Sequence, residues 1–140
     1  MTQSTGIFCA IDKNNLVDAK DMVMRLAGLP VQIKLGLEFF MSEGPAGVQA
    51  IRDMLPPDTK IFLDLKLHDI PNTVAGAVRA VTKLGVDYLT IHTSGGADMM
   101  RAAVEAAQTA AVDTGKTAPC LLGVTVLTNL DAQDLQAVGV

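Results

Sequence analysis

Short apolar, β-branched runs alternate along the chain with longer stretches in which apolar residues recur every three or four positions, and glycine or proline marks most of the changes. The pattern predicts strands over "GIFCAID" (6–12), "VQIKLGL" (31–37), "KIFLDLKL" (60–67), "VDYLTIH" (86–92) and "PCLLGVTVLT" (119–128). Helices are predicted over 16–26, with Leu16, Val17 and Met24 on one face, and over "GPAGVQAIRDML" (44–55), closed by Pro56 and Pro57, which lack the amide donor a helix needs. Pro71 is placed to open a third helix that runs to Gly85. An Ala-rich helix follows over 95–116, and "DAQDLQAVGV" (131–140) opens a fifth. Met22, Met24, Met99 and Met100 fall at helix positions and are expected to pack.

Parallel neighbours need a crossover connection, and helices are the usual one, so five strand-then-helix units imply an α/β chain with a parallel sheet. Scaled from five units to eight, 140 residues become about 224, the size of a complete TIM (β/α)8 barrel. The expectation is therefore a single domain over 1–140 that holds roughly the first five βα units of such a barrel, with unpaired edges on its first and fifth strands.

Composition narrows the function. The chain is 49% hydrophobic and 19% charged, with mean hydropathy +0.34, values of a core-forming globular protein. Its formal charge is −4 with no Lys or Arg run, which argues against nucleic acid or an anionic membrane as a partner. No segment approaches the ~18 apolar residues of a membrane span, and no basic leader precedes the first strand, so a cytoplasmic location is expected. Cys9 and Cys120 stand singly in apolar segments and are expected to be buried free thiols.

One strand departs from the apolar rule. In "FLDLKLHDIPNTV" (62–74), strand alternation puts Asp64, Lys66 and His68 on the face opposite Leu63, Leu65 and Leu67. In a barrel the leucines would meet the helices and the charges would point inward, where unpaired ions are very costly, so they must answer one another. Asp64 and Lys66 are roughly 7 Å apart along an extended strand, within reach of pairing. An isolated Asp-x-Lys also fits a solvated face or an edge guard. That alternative does not account for Asp12, Lys34, Asp64, Lys66 and Asp69 together, all near the strand ends where barrel enzymes assemble their sites.

"FLDLKLHDIPNTV" resembles the signature of the orotidine 5′-phosphate decarboxylases, with Asp64, Lys66 and Asp69 as its Asp-x-Lys-x-x-Asp core and Ile70, Pro71, Asn72 and Thr73 following. "AIDKNN", "IKLGLEFF", "IHTSGG" and "GVTVLTNL" extend the resemblance over residues 6–140. It implies decarboxylation of orotidine 5′-phosphate to UMP, the last step of pyrimidine synthesis, without metal or cofactor, by a homodimer. Lys66 would give a proton to the pyrimidine carbon that loses CO₂ and Asp64 would hold Lys66, while Lys34 would bridge Asp64 and the ribose and Asp12 would accept from the ribose. Asp69 and Thr73 would complete the partner subunit's site. Thr128 and Asn129 would meet the base, Asn129 standing where the family commonly has serine. From its place at the end of the fourth strand, His92 fits either a donor behind the array or a satisfied structural histidine, and His68 is read as mainly structural. The family's phosphate-gripping loop and arginine lie beyond the fifth strand. Magnesium-dependent keto-sugar-phosphate decarboxylases and aldolases share the same core but carry an acid where this chain has Lys34, whose charge disfavours a metal there. A non-catalytic half-barrel is the third alternative.

Overall fold

The computed structural model describes residues 6–139. Five strands alternate with helices: β1 (Phe8–Ile11), α1 (Leu16–Arg25), β2 (Gln32–Gly36), α2 (Leu37–Arg52), β3 (Ile61–Leu67), α3 (Pro71–Thr82), β4 (Tyr88–His92), α4 (Gly96–Thr114), β5 (Cys120–Val124) and α5 (Ala132–Ala137), with a 3-10 turn at Thr93–Gly95 before α4. All four strand pairs are parallel, in the order β1-β2-β3-β4-β5. This is the strand-helix repeat of a TIM (β/α)8 barrel over five units, with β1 and β5 as edges among the described residues.

The odd positions of β3, Ile61, Leu63 and Leu65, are buried with Ile33, Leu35, Leu89 and Ile91 beneath the helices, which contribute Phe39, Ile51, Val78 and Met99. Burying each large side chain favours the fold by roughly 1.5–3 kcal/mol. The opposite sheet face is layered. At the strand starts Phe8, Phe62 and Tyr88 pack edge to face, with ring centroids 5.5, 5.3 and 6.3 Å apart. Two residues further along β3 the same face becomes ionic at Asp64.

Several expectations shift. Leu37, expected to end a strand, instead opens a helix, and residues 38–43, for which no element was expected, continue it: α2 begins at Leu37 and breaks at Gly44 (φ 61°), just before Pro45. That left-handed conformation suits glycine, and the following proline needs no amide partner in a first turn, so the sequence signal for a helix start at 44 marked an internal kink. In α1, Leu16 packs against the core with the buried Ala19 and Val23, as expected of it, while Val17 and Met24 are exposed, so the packed face runs through 16, 19 and 23 and not through 16, 17 and 24. β5 stops at Val124, leaving Thr128 and Asn129 in the turn that follows. Cys9 is half-buried and Cys120 exposed, not both buried, since Cys120 opens an edge strand. Of the methionines, Met99 is buried and Met24 is not.

Candidate active site

β2, β3 and β4 bring three of the expected residues together. Register pairs Gly36 with Asp64 and Lys34 with Phe62, so Lys34 starts one layer lower and reaches up to the carboxylate. Lys34 Nζ stands 3.3 Å from Asp64 Oδ2, and Lys66 Nζ stands 2.8 Å from Asp64 Oδ1. Thr90, from β4, donates its hydroxyl to Asp64 Oδ1 at 2.9 Å. The Asp64 side chain is only 12% exposed, whereas Lys66 is 40% exposed and faces the open mouth.

Two ammonium groups therefore share one nearly buried carboxylate. Burial alone would raise the Asp64 carboxyl, but hydrogen bonds from Lys66, Thr90 and Lys34, with the Lys66 charge, outweigh it and hold the group below its ordinary value. Asp64 is thus an anion whose work is to anchor cations, not to exchange protons. The half-buried aromatic layer lies one step below the array, on the same sheet face.

Lys66 is also the one non-glycine residue with positive φ (50°) among those described. It lies in an irregularity where β3 and β4 change register, between the pairs Leu63 with Leu89 and Leu67 with Ile91. L-residues disfavour this region by roughly 1–2 kcal/mol, so the surrounding structure must impose it on Lys66.

The other expected residues are placed around the mouth without joining the array. Asp12 follows β1 and is exposed. Asp69 accepts a hydrogen bond from the Ile70 amide at 2.6 Å, and it and Thr73, in the first turn of α3, face solvent. Thr128 and Asn129 are exposed in their turn. His92 ends β4 and lies beside His68, ring centroids 5.3 Å apart. Burial first, then the nearby His68 and Lys66 charges, push His92 below its ordinary value. His68 is exposed, so its role is contact with His92, not core packing. Among the described residues no three His, Cys, Asp or Glu side chains converge to hold a metal ion, and no helix is long and apolar enough to cross a membrane. Thr90 is the member of the array that sequence reasoning missed, because a threonine inside a strand is ordinary.

Parallel βα units with an acid-anchored pair of lysines at the strand ends have the arrangement of a (β/α)8-barrel protein over five of its units. The chain belongs to the Orotidine 5'-phosphate decarboxylase / HUMPS family, whose model matches residues 5–139. It is 49% identical over 142 aligned positions to the orotidine 5'-phosphate decarboxylase of Rhodospirillum rubrum, covering 100% of this chain and 56% of that protein. To the Paramagnetospirillum magneticum orotidine 5'-phosphate decarboxylase it is 47% identical over 133 residues, 95% of this chain and 55% of that one. The solved orotidine 5'-phosphate decarboxylase of Lactobacillus acidophilus superposes with a TM-score of 0.82 at 34% identity, over 93% of this chain and 57% of the other. The chain spans about half the length of the curated relatives it matches.

Proposed function

We propose that this chain carries the catalytic lysine array of an enzyme that decarboxylates orotidine 5′-phosphate to UMP in pyrimidine synthesis, without metal or cofactor. The observation that carries the proposal is the Asp64 carboxylate clamped between Lys34 and Lys66. The bond from pyrimidine C6 to its carboxylate breaks, CO₂ departs, and the electron pair stays on C6. The Lys66 ammonium, held in place by Asp64, stabilises that charge and gives C6 a proton, and solvent re-protonates the amine. Asp64 stands beside the substrate carboxylate and disfavours the bound ground state. Lys34 bridges to a ribose hydroxyl, Asp12 accepts from the ribose, and Thr128 and Asn129 meet the base. Asp69 and Thr73, exposed on the rim, reach across a homodimer interface into the partner's site. The enzyme works in the cytoplasm, and its phosphate contacts come from βα units outside residues 1–140. Two ammonium groups on one carboxylate repel a divalent cation, which separates this function from magnesium-dependent relatives.

The test is the absorbance change as orotidine 5′-phosphate becomes UMP, with EDTA present, using protein expressed from the complete reading frame. Turnover indifferent to EDTA is expected. Turnover that EDTA abolishes, or none at all, would overturn the proposal.

A further inference from the structure

The register between β3 and β4 holds a feature that the lysine array does not explain. From Leu63 to Leu67 the chain advances four residues while β4 advances two, from Leu89 to Ile91. Asp64, Leu65 and Lys66 thus lie opposite Thr90 alone. A bulged strand loses ladder hydrogen bonds at such a place, and an unpaired amide is costly when water cannot reach it. Here the Lys66 amide donates to Thr90 Oγ1 at 2.8 Å. Thr90 is 5% exposed, so protein groups must satisfy its hydroxyl.

The proton arithmetic then has one solution. An amide only donates, so the Thr90 oxygen accepts from Lys66. Its single hydrogen is left for Asp64 Oδ1, 2.9 Å away. That same oxygen accepts from Lys66 Nζ at 2.8 Å, which closes a ring through the Lys66 backbone, the Thr90 hydroxyl, the Asp64 carboxylate and the Lys66 ammonium. Both ends of Lys66 are held by one carboxylate oxygen, directly at the ammonium and through Thr90 at the backbone. Lys34 is left with the other oxygen, Oδ2.

We propose that Thr90 is a positioning residue of this site: its buried hydroxyl ties the left-handed Lys66 backbone to Asp64 and so sets where the Lys66 ammonium stands. The inference rests on the function proposed above and adds a residue to it. Valine has nearly the shape of threonine but neither accepts nor donates, so Thr90→Val would release the Lys66 amide and take one donor from Asp64. Thr90→Ser keeps the hydroxyl and loses only a methyl group.

The experiment compares Thr90→Val and Thr90→Ser with wild-type protein from the complete reading frame, by steady-state kinetics and by carbon-13 titration of the Asp64 carboxyl. In Thr90→Val, kcat is expected to fall roughly ten- to a hundredfold, the scale of a misplaced reacting group, with KM within about threefold because the hydroxyl lies behind the array. The Asp64 carboxyl should titrate at higher pH than in wild type, since a donor to its charged form is gone. Thr90→Ser should restore kcat to within about threefold and return the titration to the wild-type position. A residue with only a structural role would lower stability in both variants and move neither readout. Unchanged kcat and titration in Thr90→Val, or no rescue by serine, would overturn the inference. If wild-type protein turned over no orotidine 5′-phosphate, the proposed function would fail by itself. The Asp64 titration would still decide whether Thr90 holds the pair.

Discussion

The two ends of the sheet each carry an Arg or Lys against a carboxylate, and they use the pairing differently. At the strand starts, Arg52 from the last turn of α2 donates to the Thr59 carbonyl at 2.7 Å, the Gly85 carbonyl at 3.0 Å and Asp87 Oδ2 at 3.0 Å. Asp87 in turn accepts from the Ile61 amide at 2.8 Å. One cation meets one anion, and each also bonds the backbone around β3 and β4. At the other end two lysines converge on one carboxylate, Lys66 sits in a disfavoured backbone conformation, and its ammonium faces open space. A network closed on itself locks elements together. One that keeps a cation partly unspent, at a cost in backbone energy, is arranged for something that arrives from outside.

The largest effect that would break this contrast concerns Lys66. Lys66→Ala is expected to lower turnover of orotidine 5′-phosphate by about 10⁴-fold or more, the combined scale of a lost proton donor and lost charge stabilisation. Stability should change by no more than about 1 kcal/mol, because Lys66 is 40% exposed and Asp64 keeps Lys34 and Thr90. Lys66→Gly should be equally inactive yet more stable than Lys66→Ala by about 1 kcal/mol, since glycine adopts a positive φ freely. Denaturant unfolding of the two variants measures the difference. Glycine giving no advantage over alanine would mean that the backbone at 66 is not strained.

Arg52→Ala is the mirror experiment. It removes three hydrogen bonds and leaves two carbonyls and a half-buried carboxylate short of a partner, so a loss of about 2–3 kcal/mol is expected. Turnover per folded molecule should stay within about threefold, because Arg52 lies at the opposite end of the strands from Lys66. Urea unfolding and active-site-normalised kinetics read the two quantities separately. A variant as stable as wild type but inactive would reverse the roles assigned to the two ends.

These two networks differ in how far the sequence discloses them. Asp64 and Lys66 are visible because charge interrupts an alternating apolar strand, and Lys34 joins them once successive strand ends are compared. Their pairing geometry is not visible. Strict alternation leaves Asp64 and Lys66 roughly 7 Å apart along an extended strand, and it gives no sign of the register change or of the left-handed turn at Lys66. Thr90 and Arg52 were overlooked for a common reason: threonine in a strand and arginine near a helix end are what propensity and helix dipole favour anyway, so their long-range bonds leave no local trace. The βα order was read from periodicity, and four strands fall within a few residues of their expected bounds. The start of α2 was not, because Gly36 and Leu37 extend an apolar run and Gly44 with Pro45 imitates a helix start. Asp12 and Asp69 are legible from their place near successive strand ends, whereas Thr73, Thr128 and Asn129 belong to the expected site only through the family resemblance; one chain leaves all five apart on the rim.

The smallest expected effect sharpens the comparison through pH. Asp64 ionises below its ordinary value near 3.8 in the folded chain, because Lys66, Thr90 and Lys34 stabilise the charged form more than burial opposes it. The unfolded chain therefore binds a proton before the folded chain does as acid is added. Stability from this group is fully present above about pH 5, begins to fall as the unfolded carboxyl protonates, and is gone below the folded value. Asp64→Asn removes the titration but leaves both lysines without their anion, so it should be less stable than wild type at neutral pH and lose less between about pH 5 and pH 2. Thermal melts of the two proteins across that range give the difference in slope. Parallel curves would mean that Lys34 and Lys66 hold the carboxylate no more firmly than water does, and the array would then be a solvated surface cluster instead of a preorganised one.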